Sequence, residues 1–182
     1  MNLPNLLTLS RLGLIPVFVV LSAMGPSPQS AVAAAAVFAV ASLTDWLDGY
    51  VARRRQQITD LGKLLDPIAD KLLILSALVM LVEAGRAPGW LVILILAREF
   101  AVTALRAVAA LGGRVLAAEG MGKLKMTLQT LAVLLLILEP ALPWWAHESG
   151  LMLLLIATAL ALLSASRYAV QYGRSLGPQT VR

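Results

Sequence analysis

Between Asp45 and Lys71 the chain reads D-W-L-D-G-Y-V-A-R-R-R-Q-Q-I-T-D-L-G-K-L-L-D-P-I-A-D-K. Four of its acids, Asp45, Asp48, Asp66 and Asp70, lie at or just inside the ends of two apolar segments. A carboxylate at such a place is costly unless a cation or a water-filled cavity receives it. On a helix Asp45 and Asp48, three apart, share a face; Asp66 and Asp70, four apart, share one too. Two such helices joined by a short turn can aim all four acids at one point, which is what holding hard divalent cations through oxygen requires. Gly49 removes a side chain next to Asp48, Ala52 keeps the next turn small and Gly62 opens the loop, so a bulky flat group could lie against this helix. Arg53 offers a planar fork to phosphate. Helix packing alone would also account for the small residues; the neighbouring acids tip the reading toward a ligand.

A second polar set follows further along. Glu99, Thr103 and Arg106 are spaced four and then three, so they form one helical stripe, with Arg98 adjacent to it. Lys123 and Lys125 enter from the start of the next apolar segment. Cations in a bilayer need partners. For Arg98, internal ion pairing and an anion pocket are equally good readings; for Arg106, Lys123 and Lys125 the pocket is favoured. Cysteine is absent and the one histidine, His147, falls in a loop at the opposite end, where it reads as a solvated residue. Covalent catalysis through histidine or cysteine is therefore excluded. What remains is metal-assisted displacement at a phosphoryl centre, two ions clamping the attacking and leaving oxygens while a carboxylate takes the proton of an alcohol.

These groups need elements to hold them, and the composition says which. Of 182 residues, 59% are hydrophobic and only 14% charged, with a mean hydropathy of +0.83. That balance points to one all-helical, polytopic membrane domain over residues 1–182. Met1–Ser10 reads as an interfacial helix leading into a first span that ends near Met24. A signal peptide over Leu12–Ala23 is the competing reading, disfavoured because no small-residue cleavage site follows. Further spans run from about Ser30 to Arg54, Leu61 to Val82, Trp90 to Leu111, Met126 to Leu138 and Gly150 to Tyr168, with turns at Glu83–Gly89 and Glu139–Trp145 and a basic loop at Gly112–Lys125. Pro67 is early enough in its span to be tolerated. Six spans put both termini on one side. Nearly all Lys and Arg near span ends fall on that side, Arg86 being the clear exception, so the positive-inside rule places the termini and the Asp45–Lys71 stretch in the cytoplasm. Trp90, Trp144 and Trp145 fall at the opposite interface.

D-W-L-D-G-Y-V-A-R, eight residues, then G-K-L-L-D-P-I-A-D resembles the signature of the CDP-alcohol phosphotransferases, D-x-x-D-G-x-x-A-R-x(7–8)-G-x-x-x-D-x-x-x-D, with all eight defining positions filled. The opening N-L-P-N-L-L-T-L-S-R, the A-R-E-F of Ala97–Phe100 and the A-A-E-G-M-G-K-L-K of Ala117–Lys125 look like the branch that moves a phosphatidyl group from CDP-diacylglycerol to glycerol 3-phosphate. The resemblance implies six spans, a cytoplasm-facing site in a bacterial inner membrane, and a homodimer. It implies two ions, Mg²⁺ or Mn²⁺, on Asp45, Asp48, Asp66 and Asp70, the last also the general base. It implies that Gly49, Ala52, Arg53 and Gly62 hold the cytidine diphosphate part, helped by Asn5, Thr8 and Arg11. Arg98, Arg106, Lys123 and Lys125, with Tyr168, would grip the acceptor phosphate. Nucleic acid is not an expected partner.

Other functions stay open on the sequence. The same chemistry could serve inositol phosphate, serine or phosphatidylglycerol as acceptor. A divalent-metal transporter would use the same acids, although ion carriers more often place theirs near the bilayer midplane. A lipid-binding structural subunit would do neither.

Overall fold

The computed structural model describes the backbone of residues 3–55, 60–111 and 121–176, and the side chains of residues 9–44, 69, 71–111, 124–171 and 173. Six α-helices and one 3₁₀ turn make up these residues: α1 (Leu3–Ala23), α2 (Pro28–Arg55), α3 (Asp60–Glu83), α4 (Gly89–Leu111), α5 (Met121–Leu138), the 3₁₀ turn Glu139–Ala141, and α6 (Trp145–Leu176). The helices fall where the apolar segments predict them, with boundaries moved for local reasons. α1 is uninterrupted from Leu3, so the opening residues are its first turns and not a separate interfacial helix. Nothing there breaks it, because Pro4 sits in the first turn, where no intrahelical donor is lost. Pro16 lies inside the same helix.

α2 starts two residues before the predicted span because Ser27 caps it. The Ser30 amide donates to Ser27 Oγ (3.1 Å) and the Ser27 amide to Ser30 Oγ (3.3 Å). This is a capping box with serine in the usual Glu/Gln position, and Pro28 occupies the first helical position. α3 ends in a Schellman motif: Arg86 N donates to Leu81 O (2.8 Å) and Gly85 N to Val82 O (3.0 Å). Gly85 has φ +70°, the left-handed conformation that this motif demands. α5 begins at Met121 and α6 at Trp145. Lys123 and Lys125 are therefore on a helix, and the predicted Gly112–Lys125 loop is shorter than its composition implies. His147, expected in a solvated loop, lies in the first turn of α6, half-buried, with Nδ1 3.1 Å from Glu139 Oε2. Arg86 joins the same carboxylate (3.6 Å) and donates to the carbonyls of Leu136 and Ile137, capping α5.

α1 packs on α2 and α3, α5 on α6 and α2, and α4 on α6. The main core runs through all of them except the C-terminal part of α6, with Phe18 and Phe38 in tilted contact at 5.9 Å. Among the described residues the α5–α6 seam is the most extensive. On α6, Ala146, Gly150, Leu154, Ala157, Ala161, Ser164 and Tyr168 are all buried, a spacing of threes and fours that makes one continuous stripe. A Cβ at Gly150 would stand 2.8 Å from both Cγ and Cδ2 of Leu136, itself fully buried. Gly150→Val is expected to destabilise the fold by about 2 kcal/mol, since overpacking costs outweigh the gain in helix propensity. A thermal unfolding midpoint in detergent at or above that of the parent would contradict this.

The outward surface is apolar. Ile93, Phe100, Leu111, Met152 and Leu163 are each more than half exposed. Leu124–Ala141 and Trp145–Gln171, with mean hydropathies of 1.5 and 2.0, are long and apolar enough to cross a bilayer. Leu9–Ala23 and Pro28–Thr44 are shorter apolar stretches. α4 fails that test on charge: every 18-residue window in it contains Arg98, Glu99 and Arg106.

Candidate active site

The C-terminal turns of α2 carry Asp45, Asp48, Gly49, Ala52 and Arg53; the first turns of α3 carry Gly62, Asp66 and Asp70. α2 and α3 pack together and only four residues separate them. The backbone is thus helical where the three- and four-residue spacings require it. The side chains of these eight residues, and of Asn5, Thr8 and Lys123, lie outside the described residues. Among the described residues no three acids or histidines come together as a metal-binding group.

The second polar set is described in detail, and its hub is Glu99. Glu99 Oε1 accepts from Arg98 Nη1 at 2.7 Å and from Lys125 Nζ. Arg98 Nε donates to the main-chain carbonyl of Ala161 at 3.0 Å. One carboxylate on α4 therefore ties together α4, α5 and, through Arg98, α6. The two cations are nearly dry, with side chains 6% and 5% exposed, whereas Glu99 is 29% exposed. Of the two readings left open for Arg98, the pairing is present, and its partner is Glu99 itself.

Thr103, one turn on, donates its hydroxyl to the Glu99 carbonyl (2.7 Å) and accepts from Lys71 Nζ (2.6 Å). Lys71 Nζ thus reaches from α3 to α4. Arg106 continues the stripe and is exposed. Tyr168 is buried against Val102 and Ala109 between α4 and α6. Arg11 is fully buried on α1. A cavity of about 110 Å³ between α3, α4 and α5 is bordered by Lys71, Glu99, Lys125, Gln129 and Thr130, the rest of its wall being apolar.

The sequence pattern put Glu99 and Thr103 on the right stripe without giving either a role, and read Lys71 only as a topology marker. Lys71 pairs across 32 residues and Lys125 across 26, distances that no helical periodicity encodes. The available signal was a lysine directly after Asp70, on the element already singled out.

Residues 1–165 match the family described as CDP-alcohol phosphatidyltransferase. The chain is 47% identical over 150 residues to the CDP-diacylglycerol–glycerol-3-phosphate 3-phosphatidyltransferase of Bacillus subtilis, covering 76% of this chain and 77% of the relative. It is 41% identical over 173 residues to the protein of the same name from Escherichia coli strain K12, covering 92% of each. With the signature complete on α2 and α3 and the match running almost the whole length, the chain belongs to the CDP-alcohol phosphatidyltransferase family.

Proposed function

We propose that this chain transfers the phosphatidyl group of CDP-diacylglycerol to glycerol 3-phosphate, giving phosphatidylglycerophosphate and CMP. The observation that carries the reading is the alignment, over 92% of both chains, with a relative named for that transfer. The intact eight-position motif supports it at the level of chemistry.

The donor set on the adjoining ends of α2 and α3 is all carboxylate, which suits Mg²⁺ or Mn²⁺ better than softer metals. Asp45, Asp48, Asp66 and Asp70 would hold two such ions. When bound, they supply charge neutralisation at the diphosphate and at the departing CMP. Gly49, Ala52 and Gly62 leave room for the cytidine diphosphate, Arg53 forks onto its phosphate, and Asn5, Thr8 and Arg11 border it from α1. Asp70 takes the proton from the primary hydroxyl of glycerol 3-phosphate. That oxygen attacks the phosphorus bonded to diacylglycerol, and the bond from this phosphorus to the CMP oxygen breaks. Arg98, Arg106, Lys123 and Lys125 make the acceptor side cationic, Arg98 and Lys125 held in place by Glu99, with Tyr168 behind them.

In the same reading all six helices cross the inner membrane of a bacterium as one domain. The termini and the aspartates face the cytoplasm, where a soluble sugar phosphate meets a lipid headgroup, and two copies form a homodimer. The outward apolar residues and the placement of Lys and Arg support this.

The test is CMP release by purified protein given CDP-diacylglycerol, Mg²⁺ and glycerol 3-phosphate. Release is expected with this acceptor, lost on chelation with EDTA and restored by Mg²⁺ or Mn²⁺. CMP appearing only with inositol phosphate, serine or phosphatidylglycerol would replace the acceptor. Metal uptake into proteoliposomes without CMP release would replace the reaction.

A further inference from the structure

We propose that the cavity at the end of the bundle opposite the aspartates binds an organic ammonium, a molecule with a protonated amine on a short apolar body. The site is separate from the transfer reaction and does not rest on it.

The cavity measures about 270 Å³ and opens between α1, α2, α3 and α5. A cavity of about 150 Å³ already accepts benzene, so this one admits a ring with a short arm. Its floor is apolar and buried, formed by Phe18, Ala34 and Ala77. Its rim is polar, with Ser22, Glu83 and Arg86. Ala77 and Glu83 lie six residues apart on α3, so about 9 Å of helix separates the apolar floor from the charged rim. A ligand that fills the cavity is therefore apolar at one end and polar at the other.

The charge at the rim selects a cation. α1, α3 and α5 all end here, and Ala23, Glu83 and Ile137 from their last turns border the cavity. Each helix C-terminus carries about −0.5 of a charge, and none of the three has a basic residue in its last turn. The N-terminus of α2, capped by Ser27 and Ser30, offsets one of these ends. Arg86 answers for α5: Nη1 donates to the Leu136 and Ile137 carbonyls, and Nε lies 3.6 Å from Glu139. Glu139 in turn is shared with His147, and Glu148 beside it is exposed. Among the described residues no further cation borders the cavity.

Glu83 sharpens that field. It is the last residue of α3, so its carboxylate stands at the negative end of its own helix, where an acid is disfavoured. It is exposed, and it has no hydrogen bond or ion pair with another side chain. An ammonium relieves both charges at once, and its N–H donors suit a carboxylate. An anion would meet Glu83 and the helix ends together. A bare metal ion would leave the apolar floor unfilled, and the described residues bring no three acids or histidines together to ligate one. The plain alternative is a hydrated cleft with a solvated acid at its rim. It predicts no binding that needs both the apolar body and Glu83.

The probe is phenethylamine, whose ring and ethyl arm fit the depth, with phenethyl alcohol and phenylpropionate as neutral and anionic controls. The readout is the thermal unfolding midpoint of the purified protein in a non-ionic detergent, titrated with each compound. Phenethylamine is expected to raise the midpoint with an affinity about fivefold above that of the alcohol, the size of an exposed ion contact joined to a helix end. Phenylpropionate should bind more weakly than the alcohol. Glu83→Gln should bring amine and alcohol within about twofold of each other, while its midpoint without ligand stays near that of the parent, the residue being exposed. Ala77→Leu fills the floor and should weaken both compounds; if that variant does not fold, Glu83→Gln decides alone. Equal affinities for the three compounds in the parent would overturn the site, as would an amine preference that survives in Glu83→Gln, or no shift with any of them. Added lipid distinguishes the natural source. Displacement of phenethylamine by phosphatidylethanolamine but not by phosphatidylcholine assigns the site to a lipid headgroup; displacement by neither assigns it to a soluble amine. Equal displacement by both would mean that the N–H donors play no part, and overturns the carboxylate contact.

Discussion

Asp70→Asn is expected to lower CMP release by about 10²–10⁴-fold, the range a positioned general base supplies. Asparagine keeps the size of the side chain and one oxygen, but it cannot take a proton from the acceptor hydroxyl. Asp70 lies on α3 one turn after Asp66, so in the proposed reading the same substitution would also weaken a metal ligand. Titration with Mg²⁺ separates the two effects. A loss that high Mg²⁺ relieves would assign Asp70 as a ligand only. A loss that persists at saturating Mg²⁺ supports proton transfer. Turnover near that of the parent would remove Asp70 from the chemistry altogether. Ala69, its neighbour, is fully buried, which fixes this turn of α3 in the packed interior and argues that the substitution is local.

The second large effect concerns Glu99. Glu99→Ala strips the carboxylate from two cations whose side chains are only 6% and 5% exposed. Removing one partner of a buried ion pair costs about 3–5 kcal/mol. Because Glu99 itself is 29% exposed, the expected loss sits near the lower end, about 3 kcal/mol by the same rule. A drop in the thermal unfolding midpoint in detergent reads it. Glu99→Gln keeps an oxygen acceptor and should lose less. Pairing Glu99→Ala with Lys125→Met should cost clearly less than the sum of the two single changes, because the second removes a charge the first left stranded. Strict additivity would mean that the carboxylate and Lys125 do not interact in the folded protein.

This network also reorders the acceptor side of the site. From the sequence, Arg98 reads equally well as an ion-paired residue or as part of an anion pocket, and Lys125 as part of that pocket. In the structure their charge is partly spent on Glu99, and Arg98 is further engaged by a main-chain carbonyl of α6. These contacts also hold three helices in register.

The sequence alone determined the elements and the chemistry they were meant to carry. Long apolar runs punctuated by Gly, Pro and charge can only be helices, and spacings of three and four put acids on shared faces, because both facts depend on neighbours within one or two turns. Helix ends were less legible: Ser27 extends α2, α1 runs on unbroken from Leu3 through Pro16, and His147 joins α6, outcomes that composition does not weigh. Tertiary structure decided which helices adjoin, and hence everything that depends on a partner far along the chain. Lys125 meets Glu99, Lys71 meets Thr103, Arg86 caps α5 and Gly150 admits Leu136. A buried charge takes the partner that packing brings to it, and packing is settled by the summed fit of whole helix faces rather than by any stretch of sequence read on its own.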